Sequence, residues 1–398
     1  MQHIHNSRPD LKILDEEFAS AQRRTASSFD DIAQQFAGSL VLFGAGSLGR
    51  KIVGCLRHHG IEPLAFADSN SAKWGNNVDD VVVLPPWEAA KKFANSAAFV
   101  VAICSPGHSY CQTRKQLVSL GCPKVVSFLP LLWKYPNSLL PHYPFDAPVR
   151  ILEQSEKIRA AIGLWDDEES RHQYVAHLYC RLTADFDVLP VPTLGDQYFP
   201  SDVIGLGQNE VFIDCGAFNG DTIKSFLARQ GTDFKAAFAF EPDPSNFRQL
   251  SEYVSMLHLD IRHRIELFQC AVGARPGHVR FDASGGTDAS IGATGSVEIE
   301  CLPLDQVLHD QHPTFLKFDI EGTEQAALIG AQSLIQRERP VIAVCVYHRP
   351  EDMWKIPLYL HSLRVGYRFF LRTHSYDGLD LVLYAIPPHR IQTYKANL

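Results

Sequence analysis

The sequence predicts an α/β protein of two doubly wound domains with a helical arm between them. Two stretches carry this expectation. At 39–50 and again at 210–222, a run of apolar residues leads into a glycine-rich turn and then a polar helix start. Length is the third observation, because 398 residues are too many for one ordinary core. The expected boundaries are a helical segment at 1–36, a first α/β domain at 37–135, a proline-rich linker and arm at 136–205, and a second α/β domain at 206–398.

Apolar residues at Leu11, Leu14, Phe18, Phe29, Ile32 and Phe36 predict one or two amphipathic helices before the first domain, while His3 and His5 read as tail residues. A buried strand then runs into Gly44-Ala45-Gly46-Ser47-Leu48-Gly49, a complete G-x-G-x-x-G, with a helix to about His59 and Gly60 as its left-handed cap. The next strand ends in Asp68, 22 residues beyond Gly46. This is the Rossmann-like pattern, in which glycines admit a pyrophosphate and the acidic residue accepts ribose hydroxyls. Gly44, Gly46, Gly49 and Asp68 are therefore a candidate second nucleotide site, for NAD(P) or a nucleotide sugar. The competing reading is a domain kept for docking or ligand sensing. Strands are expected at 81–84, 98–103 and 124–128, with a helix at 110–120. The stretch 104–108 lies at a strand end facing the same crevice, where it could line a site or simply form a turn.

Prolines 130, 136, 141, 144 and 148 give a linker signature. Residues 150–185 read as helices, the second opened by Asp166-Asp167-Glu168-Glu169, where acidic residues suit the helix dipole. His172 and His177 are five apart, a spacing that does not put them on one face for a metal. The segment suits an interdomain brace or a surface for homo-oligomer pairing.

In the second domain a strand carries Asp214 to the turn Gly216-Ala217-Phe218-Asn219-Gly220, and Asn219, Asp221 or Thr222 can cap the following helix. The glycines are expected to let a ligand approach the backbone. A second buried strand ends in Glu241-Pro242, placed to accept both hydroxyls of a ribose, with a helix after it at 245–258. A strand at 265–272 follows, then a hairpin with arms at 278–283 and 296–302 and a Gly/Ser-rich loop at 284–295 as its tip or a substrate lid. Strands then lead to Asp319 and Glu321 and to His348, and two final strands at 367–371 and 379–386 flank His374. No Gly-Lys-Ser/Thr follows the 214–220 turn, and it lacks the G-x-G-x-x-G of the first domain. A ribose-bearing ligand without a pyrophosphate fits it, and S-adenosylmethionine (SAM) is the foremost candidate.

Composition narrows the class. Apolar residues at 45% and charged residues at 21% are those of a soluble globular protein. A net charge of −8 argues against a nucleic-acid partner. No apolar run approaches a membrane span, the polar start lacks a signal-peptide core, and nine cysteines without a C-x-x-C pair read as reduced thiols. The expected location is the cytoplasm.

Asp214-Cys215-Gly216-Ala217, Phe240-Glu241-Pro242, Leu304-Asp305, Lys317-Phe318-Asp319-Ile320-Glu321-Gly322-x-Glu324 and Val346-Tyr347-His348 together resemble the FkbM-type SAM-dependent methyltransferases over about residues 197–387. The first domain is similar to the extra domain of longer members. The resemblance implies a seven-stranded methyltransferase fold with an antiparallel last strand, and O-methyl transfer to a hydroxyl of a sugar, glycan or polyketide-like small molecule. It implies that the backbone at Gly216, Ala217 and Gly220, with Asp221 beside it, cradles the methionine part of SAM, that Asp214 lies under the amino group, that Glu241 with Pro242 holds the ribose, and that adenine lies near Cys270-Ala271. Many methyltransferases place an acidic residue at that last position; this chain has none.

An alcohol must lose its proton as the methyl group arrives. Asp319, Glu321, His348 and His374 are the candidate bases, with His suited by its ordinary pKa. Asp319 and Glu321 beside a histidine offer a metal alternative, but no compact ligand spacing such as H-x-x-x-H appears, and no metal is expected. Two other classes compete: an oxidoreductase or epimerase run by the first domain, and a non-catalytic ligand-binding protein.

Overall fold

The computed structural model describes residues 11–195, 197–281 and 297–391 and contains two doubly wound domains. His3, His5 and the loop 284–295 lie outside the described residues.

The first sheet comprises β1 (Leu40–Phe43), β2 (Ala65–Ala67), β3 (Asn77–Val78), β4 (Val81–Leu84), β5 (Ala98–Val101) and β6 (Val125–Ser127), in the order β3-β4-β2-β1-β5-β6. Only β3 pairs antiparallel. Strands β1, β2 and β5 are buried throughout, as continuous apolar runs must be in a parallel sheet covered on both faces. The helix Ser47–His58 follows the glycine turn, and Gly60 takes φ +74° just beyond it.

The second domain contributes β7 (Glu210–Cys215), β8 (Phe234–Phe240), β9 (Ile265–Phe268), β10 (Ala271–Val272), β11 (Gly277–Phe281), β12 (Val297–Leu302), β13 (Phe315–Phe318), β14 (Val341–Cys345), β15 (Arg368–Thr373) and β16 (Leu381–Ile386). Seven of them form the sheet β15-β16-β14-β13-β7-β8-β9, with β16 antiparallel to both its neighbours. The chain winds outward from β7 through β8 and β9, then returns to the other side of β7 at β13. The switch point therefore lies between β7 and β13, and a crevice opens at their carboxyl ends.

Two expectations need correction. Residues 265–272 are not one strand. The chain leaves the main sheet after Phe268, and Ala271–Val272 pair with β12 in a separate three-stranded sheet. Nor is the proline-rich stretch a tether. Phe128–Lys134 is a helix whose residues Phe128 to Trp133 are buried, and Pro136 and Pro148 open two further short helices, where a missing N–H costs nothing.

The arm is a brace. Its helix Glu168–Thr183 is capped by Asp167, which accepts from Ser170 N at 2.8 Å. Trp165, Tyr174, Leu178 and Leu182 join the core of the second domain, while Cys180 and Phe186 join that of the first. Asp166 N donates to Phe369 O at 2.9 Å, and Arg372 pairs with Asp167 at 2.7 Å and Asp202 at 2.8 Å. These contacts cover β15, which would otherwise be an open sheet edge. His177 is buried against Thr373 at 2.8 Å, and His172 is exposed. Helix Phe18–Ala33 likewise spans both cores, with Ala21 in one and Phe29 and Ala33 in the other.

Gly216 and Gly220 have reasons other than a ligand. Gly216 sits at φ +84°, and a Cβ there would stand 1.8 Å from the Asp319 carbonyl oxygen. Gly220 sits at φ +90°, with a Cβ position 2.8 Å from the Tyr253 ring. Both are fixed by close approach of neighbouring chain. Gly216→Ala is expected to destabilise the protein by at least about 3 kcal/mol in urea denaturation, because it adds a left-handed strain to a backbone clash.

Candidate active site

Parallel pairing sets Lys317 of β13 directly beside Asp214 of β7. Both side chains are buried, and Lys317 Nζ lies 3.0 Å from Asp214 Oδ1. The ammonium also donates to Gly216 O at 2.6 Å, which ties the β7 turn to β13. Burial pushes the Asp214 carboxyl up to about 6, against the pull of Lys317. For Lys317 burial favours the neutral amine, but Asp214, Asp319 and Asp221 outweigh it and hold the charge.

At the tip of β8, Glu241 joins two turns. Its Oε2 accepts from Phe218 N at 2.8 Å and its Oε1 from Asp243 N at 2.9 Å. Burial pushes its carboxyl up to about 7, while these two N–H groups pull it down. Asp243 caps the helix Pro244–Met256 through Ser245 N and Asn246 N. Between these turns lies a cavity of about 290 Å³, the scale of a small-molecule site. Gly216, Asp221, Glu241, Pro242, Cys270 and Ala271 line it. Asp214, Ala217 and Gly220 are not on its wall: Asp214 and Ala217 are fully buried behind it, and Gly220 packs against the next helix. Asn246 also lines the cavity, and its buried Oδ1 has no hydrogen bond among the described residues.

The other end of the cavity holds a carboxylate–imidazole array. Asp319 accepts from Tyr198 Oη at 2.6 Å. His348 Nε2 lies 3.3 Å from Asp319 Oδ1 and 3.6 Å from Glu321 Oε1, and its Nδ1 lies 2.7 Å from Glu324 Oε1. That same Glu324 oxygen accepts from Ile320 N and Gly322 N, and so holds Glu321 at φ +53° and Gly322 at φ +94°. Burial opposes the charge of His348, but Glu324, Glu321 and Asp319 outweigh it and lift its pKa to about 10. Burial likewise opposes the charge of Asp319, but Lys317, His348 and Tyr198 hold its carboxyl below the usual range.

Asp319 and Glu321 line the cavity, while His348 stands behind them. Ion pairing with Asp319, Glu321 and Glu324 holds His348 off the cavity wall. His374 is elsewhere. Its Nδ1 meets Thr193 O at 2.8 Å and its Nε2 meets Tyr384 Oη at 2.7 Å, it is buried, and it does not reach the cavity. Its expected role as a base is withdrawn on this geometry.

Three contributors escaped the sequence reading. Asp380 reaches the cavity beside Asp319; burial, then the Asp319 charge, pushes its carboxyl up to about 6, against hydrogen bonds from Tyr347 and Ser375. Lys317 could have been found as a charge in an apolar strand, level with Asp214. The third is the first domain itself, because Cys104, Pro106 and Tyr143 line this cavity. Their loop grips the β15–β16 connection: Gly107 N donates to Ser375 Oγ at 2.9 Å, His108 Nδ1 meets Asp377 Oδ2 at 2.9 Å, and Tyr110 N donates to Asp377 at 2.7 Å.

In the first domain, Asp68 is engaged by its own chain. It accepts from Ala45 N at 2.9 Å, Asn70 N at 2.8 Å and Lys73 Nζ at 2.9 Å. A Cβ at Gly44 would stand 2.5 Å from Ile103 Cγ1, and one at Gly49 2.1 Å from Gly44 O; Gly46 has open space. Strand–helix packing thus accounts for two glycines and the acidic residue without a nucleotide.

Residues 214–369 match the model of the methyltransferase FkbM domain. No curated protein sequence gives a match. The methyltransferase FkbM of Methylobacillus flagellatus KT has a similar structure, at 20% identity and a TM-score of 0.72, covering 94% of this chain and 100% of that one. At this identity the likeness shows the fold, and it extends over both domains. A precorrin-6y C5,15-methyltransferase from Geobacter metallireducens GS-15 aligns at 12% identity and a TM-score of 0.26, over 45% of this chain and 80% of that one. A Rex-family repressor, RSP, aligns at 24% identity and a TM-score of 0.20, over 23% and 45%.

Lys317→Met leaves Asp214 buried without its counter-charge and is expected to cost about 3–5 kcal/mol at neutral pH in urea denaturation. Asp214 has a raised carboxyl pKa, so its ionisation opposes folding as pH rises through about 6. Without Lys317 the Asp214 carboxyl rises further, so the loss in Lys317→Met should shrink as pH falls toward about 6.

Proposed function

Because residues 214–369 form a methyltransferase FkbM domain, we propose that the protein transfers the methyl group of SAM to a hydroxyl of a sugar, glycan or polyketide-like small molecule. One observation carries the reading: a single cavity has a nucleoside-type end at Glu241 and Gly216 and a carboxylate-rich end at Asp319, Glu321 and Asp380. Glu241 takes the ribose hydroxyls on the carboxylate edge left over by its two backbone donors. Asn246 Oδ1, buried and without a hydrogen bond, suits the adenine amine that no acidic residue is present to take.

SAM supplies a sulfonium-bound methyl group. The chain's own part is to hold the acceptor oxygen in line and remove its proton. Asp319 and Glu321 fix the place of the hydroxyl, and Asp380 accepts its proton. The oxygen lone pair forms the new C–O bond, the S–C bonding pair stays on sulfur, and S-adenosylhomocysteine leaves. Asp380 suits this task because it lies near neutrality, whereas Asp319 is held low and His348 is already charged. An acceptor end built from carboxylates favours neutral, hydroxyl-rich acceptors over phosphorylated ones.

Titration calorimetry with S-adenosylhomocysteine tests the donor site. Binding should weaken as pH falls below about 7, where Glu241 takes up a proton, by up to about tenfold per pH unit. Glu241→Gln should bind about 10–100-fold more weakly and lose most of that pH dependence. No binding at any pH would remove the reading. For the base, Asp380→Asn should lower the rate of methyl transfer to a neutral glycan acceptor about 10²–10⁴-fold, with donor affinity unchanged. A rate within threefold of the parent would exclude Asp380.

A further inference from the structure

We propose that His348 Nε2, Asp319 Oδ1 and Glu321 Oε1 form a binding site for a divalent first-row cation at the acceptor end of the cavity. The inference rests on the methyltransferase reading for its role but not for its existence.

The three atoms converge from two turns, after β13 and β14. Nε2 of His348 lies 3.3 Å from Asp319 Oδ1 and 3.6 Å from Glu321 Oε1. Ligand atoms bonded at about 2.1 Å and separated by right to tetrahedral angles lie about 3.0–3.4 Å apart. The imidazole nitrogen thus stands close to ligated spacing from each of the two oxygens before any ion arrives. His348 is only 8% exposed, and among the described residues neither its Nε2 nor Asp319 Oδ1 is taken up by a hydrogen bond.

Glu324 completes the pattern from behind. Its Oε1 lies 2.7 Å from His348 Nδ1, on the opposite ring edge, where it accepts the Nδ1 proton and leaves Nε2 free to ligate. A carboxylate behind a ligating histidine is how metal sites fix the tautomer and the ring. Because the two ring nitrogens face opposite ways, Glu324 orients the ligand and does not join it on the ion. Glu324 is fully buried and fixed by Ile320 N and Gly322 N, so the orientation is built into the turn. Two carboxylates and one imidazole suit manganese, iron or zinc better than an all-oxygen cation site would.

Asp319 and Glu321 line the cavity, so an ion between them has its remaining positions open to an acceptor hydroxyl. There it lowers the hydroxyl pKa and shortens the task left to Asp380. The sequence shows these residues as D-x-E with a histidine beyond the following strand, a set without compact ligand spacing.

The test is titration of the purified, chelator-treated protein with MnCl2, followed by electron paramagnetic resonance, with S-adenosylhomocysteine binding measured on the same sample. Saturable uptake of about one Mn2+ per chain is expected. Glu321→Gln, at a half-exposed position, should weaken it at least about tenfold, Asp319→Asn should abolish it, and Glu324→Gln should weaken it about 10–100-fold through the ring. ZnCl2 should displace the Mn2+ signal. Absence of saturable Mn2+ uptake by the parent protein overturns the proposal, as does uptake undiminished in Asp319→Asn or Glu321→Gln. S-adenosylhomocysteine binding without Mn2+ uptake removes the cation and leaves the methyltransferase reading. Mn2+ uptake without S-adenosylhomocysteine binding does the reverse.

Discussion

The buried ion pair between Lys317 and Asp214 is the constraint on which the site depends. It joins the two strands that flank the switch point of the second sheet. Two buried charges are costly unless each finds a partner, so β7 and β13 must keep the register that sets them side by side. That register brings Gly216 against the Asp319 backbone, and Lys317 fastens the contact through the Gly216 carbonyl. The Gly216 turn and the carboxylate turn are thereby held together, and their separation follows from strand pairing rather than from loop conformation.

The cavity belongs to both domains. The first domain places Cys104, Pro106 and Tyr143 on its wall, and its loop holds Asp377 and Ser375 through backbone and imidazole hydrogen bonds. Those partners sit in the connection that delivers Leu379 and Asp380 to the same cavity. The brace at 168–183 and the helix at 18–33 share apolar residues with both cores, which keeps this wall in place. A Rossmann-like domain can thus serve a neighbouring site with its loops while Asp68 and Lys73 engage its own glycine turn.

Much of this was legible in the sequence. Apolar runs ending in glycine turns located both central strands, and the acidic strand tips located Glu241, Asp319 and Glu321 on one cavity. What could not be read were relations between strands. Asp214 looked like a ligand contact because strand pairing, which sets Lys317 beside it, was not weighed. His348 and His374 looked alike as bases; only packing shows one locked among three carboxylates and the other tied to Thr193 and Tyr384. Asp380 was overlooked because its raised pKa comes from burial beside Asp319, which is 61 residues away. The G-x-G-x-x-G and Asp68 were correctly placed, but their spacing serves strand–helix packing as well as it would serve a nucleotide.

A crystal structure of the protein with S-adenosylhomocysteine tests the central claim most directly. The account predicts the ribose hydroxyls within hydrogen-bonding distance of Glu241, the adenine beside Asn246 and Ala271, and the sulfur facing Asp319 and Asp380 beneath Cys104 and Tyr143. A nucleoside seated instead on the Gly44–Gly49 turn of the first domain, with the Glu241 cavity empty, would contradict it.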